Sequence, residues 1–498
     1  MSVHELDLFL LVGSAVTLCA ILAVRLTSLA GLPSLLVYLL MGVALGDAGF
    51  GITFDNAELA HSLGFAALAL ILAEGGVTTS WRVLRPSMRL GLSLATIGVA
   101  VSVAVMAVGS HYLLGLPWEL AVLLGAVTSP TDAAAVFSVL RVVPLPRRLT
   151  GALEAESGLN DAPTVVLVTL ISAGTVHDHP WWVVLGIVIG ELALGIAVGF
   201  VIGVVGAWVL RRVSLPSSGL YSLSVLALCF LADASAANLH GSGFAAIYVA
   251  ALVLGNAELP HRQVTRGFAE GVAWLAQIGL FVMLGLLLSP STLTWEIAGK
   301  ALIAGLVLTF VARPVAVLVA MVAQPLGVRD GAFLSWAGLR GAVPVVLMTI
   351  PLADGVRGAL HLFDLVFILV VAYTLVTAPT LPLVARFLGL VQQSDPRAFE
   401  LEVAALERIA ADLLQITITP RSRLHGVEVG ELRLPRGASV SMVIRDGDSI
   451  PAEPRTVLRR GDNILVVAPR QLREQTERRL RQVSRHGRLA GWLARPER

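Results

Sequence analysis

The chain has 498 residues, of which 56% are apolar and only 14% charged, with a net charge of +2. Soluble domains carry about 25% charged residues, so most of this chain belongs in lipid rather than in water. A charge this close to balance, with no basic cluster interleaved with aromatics, excludes a nucleic-acid partner.

The residues before the first apolar run include Glu5 and Asp7 and no Lys or Arg, which argues against a cleaved signal. The run from Leu8 to Val24 is therefore read as a span. Runs of spanning length recur to about Leu390, about thirteen in all when short and broken ones are counted. Arginines test the count. They follow every second run: Arg25, Arg82 with Arg85 and Arg89, Arg141 with Arg147 and Arg148, Arg211 with Arg212, Arg262 with Arg266, Arg329, and Arg386. The alternate loops carry Asp47, Asp55, Glu58, Asp178 and Asp233 instead. This pattern predicts an N-terminus outside and a C-terminus in the cytoplasm, as in a bacterial inner-membrane protein. Cys19 and Cys229 fall inside apolar runs and read as small core hydrophobes, implying neither disulfide nor metal.

An ionisable residue inside a span costs roughly 2.5–3.5 kcal/mol on insertion scales, so such residues mark function. They cluster in three runs. The fifth contains Thr128-Ser-Pro-Thr-Asp132, the sixth Glu154-Ala-Glu-Ser-Gly-Leu-Asn-Asp161, and the twelfth Gly338-Leu-Arg-Gly-Ala-Val-Pro344. Pro130 removes a backbone donor in mid-run, and Gly338, Gly341 and Pro344 interrupt the twelfth. Two broken helices in corresponding places point to inverted repeats with a site at the midplane. Half-helix carbonyls there would face an ion, and Asp132 would stabilise a half-helix N-terminus.

On a helix, Ser157 and Asp161 share one ridge, and Glu156 and Asn160 the neighbouring one. Carboxylate, amide and hydroxyl then lie together as oxygen ligands suited to a hard cation. Glu156 needs a positive partner, and Arg340 is the expected one, as a structural pair. Burial disfavours the charged form of Asp161, so a proton and a cation compete for it. If only one fits, each swing of the protein carries one or the other, which is exchange. Asn160 does not titrate, so one proton per monovalent cation and no net charge movement are expected. Arg313-Pro314 reads as a kink, and Gly241-Ser-Gly243 as close helix packing. An intramembrane enzyme needs a nucleophile–base arrangement that these runs do not display.

After Leu390 the composition changes. Gln392 to Pro396 reads as a linker, and 399–412 as an amphipathic helix. Runs at 413–419, 438–445 and 463–469 read as short strands, with turns at Asp446-Gly447 and Gly461-Asp462. The stretch from Arg470 reads as a basic, solvated helical tail. The expected fold is an all-α polytopic membrane protein with a small C-terminal α/β cytoplasmic domain. Its divisions are 1–390 membrane, 391–412 linker helix, 413–470 module, and 471–498 tail.

Glu156–Asp161, Thr131-Asp132 and Gly338–Ala342, in this order, resemble the NhaP-type monovalent cation:proton antiporters of the sodium/proton exchanger superfamily. The resemblance implies that Asp161 carries the ion and the proton. It implies that Ser157, the segment at Thr131 and Glu74 complete the site, with Asn160 and Asp132 orienting it. It further implies electroneutral exchange and a homodimer with a moving core. Residues 413–470 are similar to the TrkA-C (RCK-C) module of potassium transport proteins. That similarity tilts the cation towards K⁺ over Na⁺ and implies a nucleotide or another small regulator. The same module also regulates channels, so a ligand-gated cation channel is the alternative; no resident cofactor is implied.

Overall fold

The computed structural model describes residues 3–30, 34–46, 49–52, 54, 56–132, 145–288, 294–341, 343–391, 400–406, 411–419, 422–445 and 448–487. The chain forms two compact units, Met1–Gln392 and Gln393–Arg498.

In lipid a backbone must satisfy its own polar groups, so the apolar runs become helices. In chain order they are α1 Val3–Ala30, α2 Ser34–Leu45, α3 Ala57–Thr78, α4 Trp81–Leu114, α5 Trp118–Thr128, α6 Arg147–Ser172 and α7 Trp181–Arg212. There follow α8 Ser218–Asn238, α9 Gly243–Asn256, α10 Arg262–Leu287, α11 Trp295–Ala320, α12 Val328–Trp336, α13 Val343–Ala353 and α14 Ala359–Phe387. Among the described residues, seven helices are both long and apolar enough to cross a membrane, and shorter apolar helices accompany them.

The helices pack as two bundles. In one, α3 lies against α9 and α10, α2 against α10, and α7 and α8 against α9. In the other, α4 lies against α5, α6 and α11, while α14 packs on α11 and α12. Glycines permit the close approaches. Gly195 and Gly199 of α7 lie so near the backbone of Ser242 and Ala246 that a methyl at either would overlap it. Ser242 accepts a hydrogen bond from Ala245 N and so caps α9; the Gly-Ser-Gly segment is a packed helix start. The chain passes between bundles at 79–80, at 173–180, and again between α10 and α11.

Both runs lose helical structure where the breaks are expected. α5 ends at Thr128, and 129–132 run without helical structure. α12 ends at Trp336, and α13 begins at Val343 after a non-helical stretch. Ala133 and Arg141 lie outside the described residues.

In the second unit, β1 (Glu400–Leu406), β2 (Ala411–Thr417), β3 (Ser439–Arg445), β4 (Asp448–Pro451) and β5 (Asn463–Pro469) form one sheet. Its order is β1-β2-β5-β3-β4, and every pairing is antiparallel. The unit is therefore α+β rather than an alternating α/β fold. Two expectations are corrected. The linker helix over 399–412 is replaced by strand β1 and the start of β2, paired from Glu400↔Thr417 to Leu406↔Ala411. Cross-strand pairing overrides the helix propensity of its Glu, Leu and Ala residues. The helix α15, Arg473–His486, is no solvated tail: Thr476, Leu480, Val483 and Ser484 are buried, the two hydrophobes in the same core as Leu414, Val443 and Val466. The turn expected at Asp446-Gly447 lies outside the described residues, whereas Gly461 adopts φ +83° beside Asp462.

Candidate functional site

The helix α6 carries most of the site. Its register turns Ser157 and Asp161 towards a cavity of about 470 Å³ between the bundles. Leu68, Glu74 and Tyr248 line it from one bundle, and Thr131, Asp132 and Glu154 from the other. Glu156 and Asn160 point the other way and are buried, at 2% and 0% exposure.

The break in α5 leaves backbone carbonyls without helical donors, and side chains meet them. Ser157 Oγ donates to Thr131 O at 2.7 Å, and Asn160 Nδ2 donates to Thr131 Oγ1 at 2.9 Å. Arg340 Nη1 donates to Ser129 O and Pro130 O at 2.7 and 2.8 Å. The two breaks also bond to each other, because Asp132 N donates to Leu339 O at 2.9 Å. Gly341 is required there, since a methyl on it would overlap the Asp132 carboxylate. Thr374 of α14 donates to Arg340 O at 3.1 Å and holds the second break from behind.

One expected contact is overturned. Glu156 pairs with Arg313, not with Arg340. The contact is bidentate: Arg313 Nη1 meets Oε1, and Nη2 meets Oε2 at 2.8 Å. Arg313 also donates to Leu334 O. Gly338 makes room, because a methyl there would crowd the Arg313 guanidinium. Pro314 follows a five-residue stretch of wider helical turn, Leu308–Ala312. Arg313 follows directly on this wider turn and reaches Glu156. Arg340 serves instead as a donor to the unwound carbonyls; its Nε has no hydrogen-bond partner among the described residues.

Asp161 stands apart from this network. It is 8% exposed, and its Oδ1 is buried with no hydrogen-bond partner among the described residues. Thr164 closes the helix behind it, donating to Asn160 O and Asp161 O. Glu74, on α3, accepts from Thr78 Oγ1 at 3.3 Å and faces the same cavity. The expected set of Asp161, Ser157, Thr131, Asp132 and Glu74 thus shares one cavity, while Asn160 lies behind it. Residues missed by sequence reasoning are Arg313, Glu154, Tyr248 and Gln277. Glu154 had a signal: it lies seven residues before Asp161, two turns away on the same helix face.

Residues 13–386 match the sodium/hydrogen exchanger transmembrane family. The chain belongs to that family. Residues 413–481 match the TrkA-C domain. The chain is 34% identical over 472 residues to the K⁺/H⁺ antiporter NhaP of Alkalimonas amylolytica, covering 93% of this chain and 82% of that protein. It is 34% identical over 480 residues to the K⁺/H⁺ antiporter NhaP2 of Shewanella oneidensis, covering 94% and 82%. Its fold is similar to that of the sodium proton antiporter MjNhaP1 from Methanocaldococcus jannaschii. There the TM-score is 0.65 at 20% identity, over 75% of this chain and 99% of that one. This is an NhaP-type exchanger with a C-terminal TrkA-C domain, and α15 falls largely inside the matched domain.

Proposed function

We propose that the chain exchanges a monovalent cation for a proton by competition at Asp161. The observation that carries this reading is a contrast on α6: Ser157 and Glu156 are engaged by protein partners, whereas Asp161, which lines the cavity, has a buried oxygen without one among the described residues. An unneutralised carboxylate at that depth is costly. A proton or a cation removes the charge, so the occupied forms can cross between two states and the empty form crosses poorly. Ser157, Thr131, Asp132 and Glu74 supply further oxygens to the cation. Asn160 and the Glu156–Arg313 pair hold the helix face in register.

The exchanger reading is preferred to the channel because the family matched across 13–386 is one of exchangers. The relatives named K⁺/H⁺ antiporters favour K⁺ over Na⁺ as substrate. One titrating carboxylate favours one-for-one, electroneutral exchange. The same reading takes the chain across a bacterial inner membrane about thirteen times, as a homodimer, with its N-terminus outside and its TrkA-C unit in the cytoplasm. The TrkA-C unit would sense a nucleotide or another small ligand.

The test is cation-driven proton movement in proteoliposomes, read with an entrapped pH dye. Wild-type protein should alkalinise the lumen on addition of external K⁺, because each K⁺ that enters expels a proton, and Asp161→Asn should not. Where the proton occupies the site, competition makes the apparent KM for the cation fall about tenfold per unit rise in pH. A KM independent of pH across the active range sinks single-site competition even if transport is confirmed.

A further inference from the structure

The shortest passage between the two bundles is a two-residue link, Thr79-Ser80, joining α3 to α4. Both residues are extended, with φ/ψ of −65°/128° and −91°/121°. A link of this kind leaves backbone groups outside any helix, and Ser80 makes no side-chain cap for α4. A side chain from across the sequence does so instead. Asn256, the last residue of α9, accepts from Trp81 N through Oδ1 at 2.8 Å. Its Nδ2 donates to Thr79 O at 2.9 Å and to Leu252 O of its own helix at 2.9 Å. One amide thus serves both sides of the link and its own helix.

The support for that amide is rigid. Gly255 lies so close to Val77 that a methyl would overlap its backbone, and Gly76 is similarly tight against Ala251 and Tyr248 O. α3 and α9 therefore form one post, with the link fixed at its end. Thr78, Thr79, Ser80 and Val83 also line the cavity that holds Asp161.

We propose that Asn256 is a positioning residue for transport, anchoring the joint on which the α4–α6 and α11–α14 bundle moves against the other. This rests on the alternating exchange proposed above and adds where the motion is pinned. Asn256 touches neither cation nor proton. Without it, Thr79 O and Trp81 N lose their partners and the joint slackens. The cavity mouth then shifts, while the oxygens around Asp161 keep their places.

The test is K⁺-driven exchange in proteoliposomes with Asn256→Ala, Ser80→Gly and the double variant. Losing two such hydrogen bonds should lower the turnover of Asn256→Ala about tenfold. The KM for K⁺ should stay within about twofold, because the loss falls on the moving step rather than on binding. Ser80→Gly, which loosens the same joint, should lower turnover about threefold alone and add little to Asn256→Ala. If Asn256→Ala fails to fold, Ser80→Gly still decides: unchanged turnover there overturns the anchor. A raised KM with unchanged turnover, unchanged activity, or full additivity of the two substitutions also overturns it. Wild-type vesicles without any exchange overturn the antiporter reading and the anchor together. Wild-type exchange beside an unaffected Asn256→Ala variant overturns the anchor alone.

Discussion

Asp161 in the membrane unit and Asp462 in the C-terminal unit are both carboxylates withdrawn from water, at 8% and 0% exposure. Asp462 is fully engaged. Arg445 donates to both of its oxygens at 2.8 Å, and Arg459 N donates to Oδ2 at 2.7 Å. Asp161 has an oxygen that none of the described residues meets. A few residues away, Glu156 is as completely paired as Asp462. Burial alone therefore does not distinguish structure from function in this chain. Under the proposed exchange, Glu156 and Asp462 hold the fold through their arginines, and Asp161 takes the proton or the cation.

Breaking each of the three carboxylates tests that division. The largest effect on transport is expected for Asp161→Asn, which should abolish cation-dependent proton movement while the thermal midpoint stays at or above that of wild type. Oδ1 has no protein partner among the described residues, so the substitution takes away no hydrogen bond there. A large drop in the midpoint would show that Asp161 is structural after all. Glu156→Gln should behave in the opposite way. It leaves Arg313 buried without its counter-charge, and breaking a buried pair on one side costs about 3–5 kcal/mol. The measurement is thermal unfolding in detergent. Replacing both partners, Glu156→Gln with Arg313→Gln, should recover part of the loss, since no lone charge remains. If the double variant is worse than either single one, the pair is not the source of the effect.

These predictions also mark what could be read without coordinates. The breaks were legible because Pro130 and the Gly338–Pro344 segment have direct consequences for the backbone. Asp161 and its face were legible because helical spacing fixes which side chains travel together. The partner of Glu156 was not. Arg313 stands on α11 and Arg340 in the non-helical stretch between α12 and α13, and only the packing of these segments around α6 decides which reaches the carboxylate; spacing along one run says nothing of packing between runs. Arg340 goes to the carbonyls of Ser129 and Pro130, which exist as free acceptors only because α5 unwinds. The region around Glu400 misled for a related reason. Its residues suit an amphipathic helix locally, and their pairing with β2 is a long-range event. The tail was misjudged because Leu480 and Val483 are a small apolar minority among arginines, and together they close the core of the second unit.

The smallest expected effect sharpens the comparison most finely. Asp462→Asn keeps the shape of the side chain and one acceptor oxygen, but removes the charge facing Arg445. Unlike Arg313, Arg445 is not sealed in: its side chain is 20% exposed, against 4% for Arg313. Water can therefore take over part of the guanidinium, and the loss should be about 1–2 kcal/mol, below that of Glu156→Gln. Hydrogen exchange on the full-length protein reads this directly, as faster opening of the amides of β2, β3 and β5. Asp462 also accepts from Arg459 N, so the turn through Gly461 should loosen first. A loss as large as that of Glu156→Gln would mean that exposure of the arginine does not set the penalty. The line between paired carboxylates in the membrane and those in water would then have to rest on the number of hydrogen bonds rather than on solvent access.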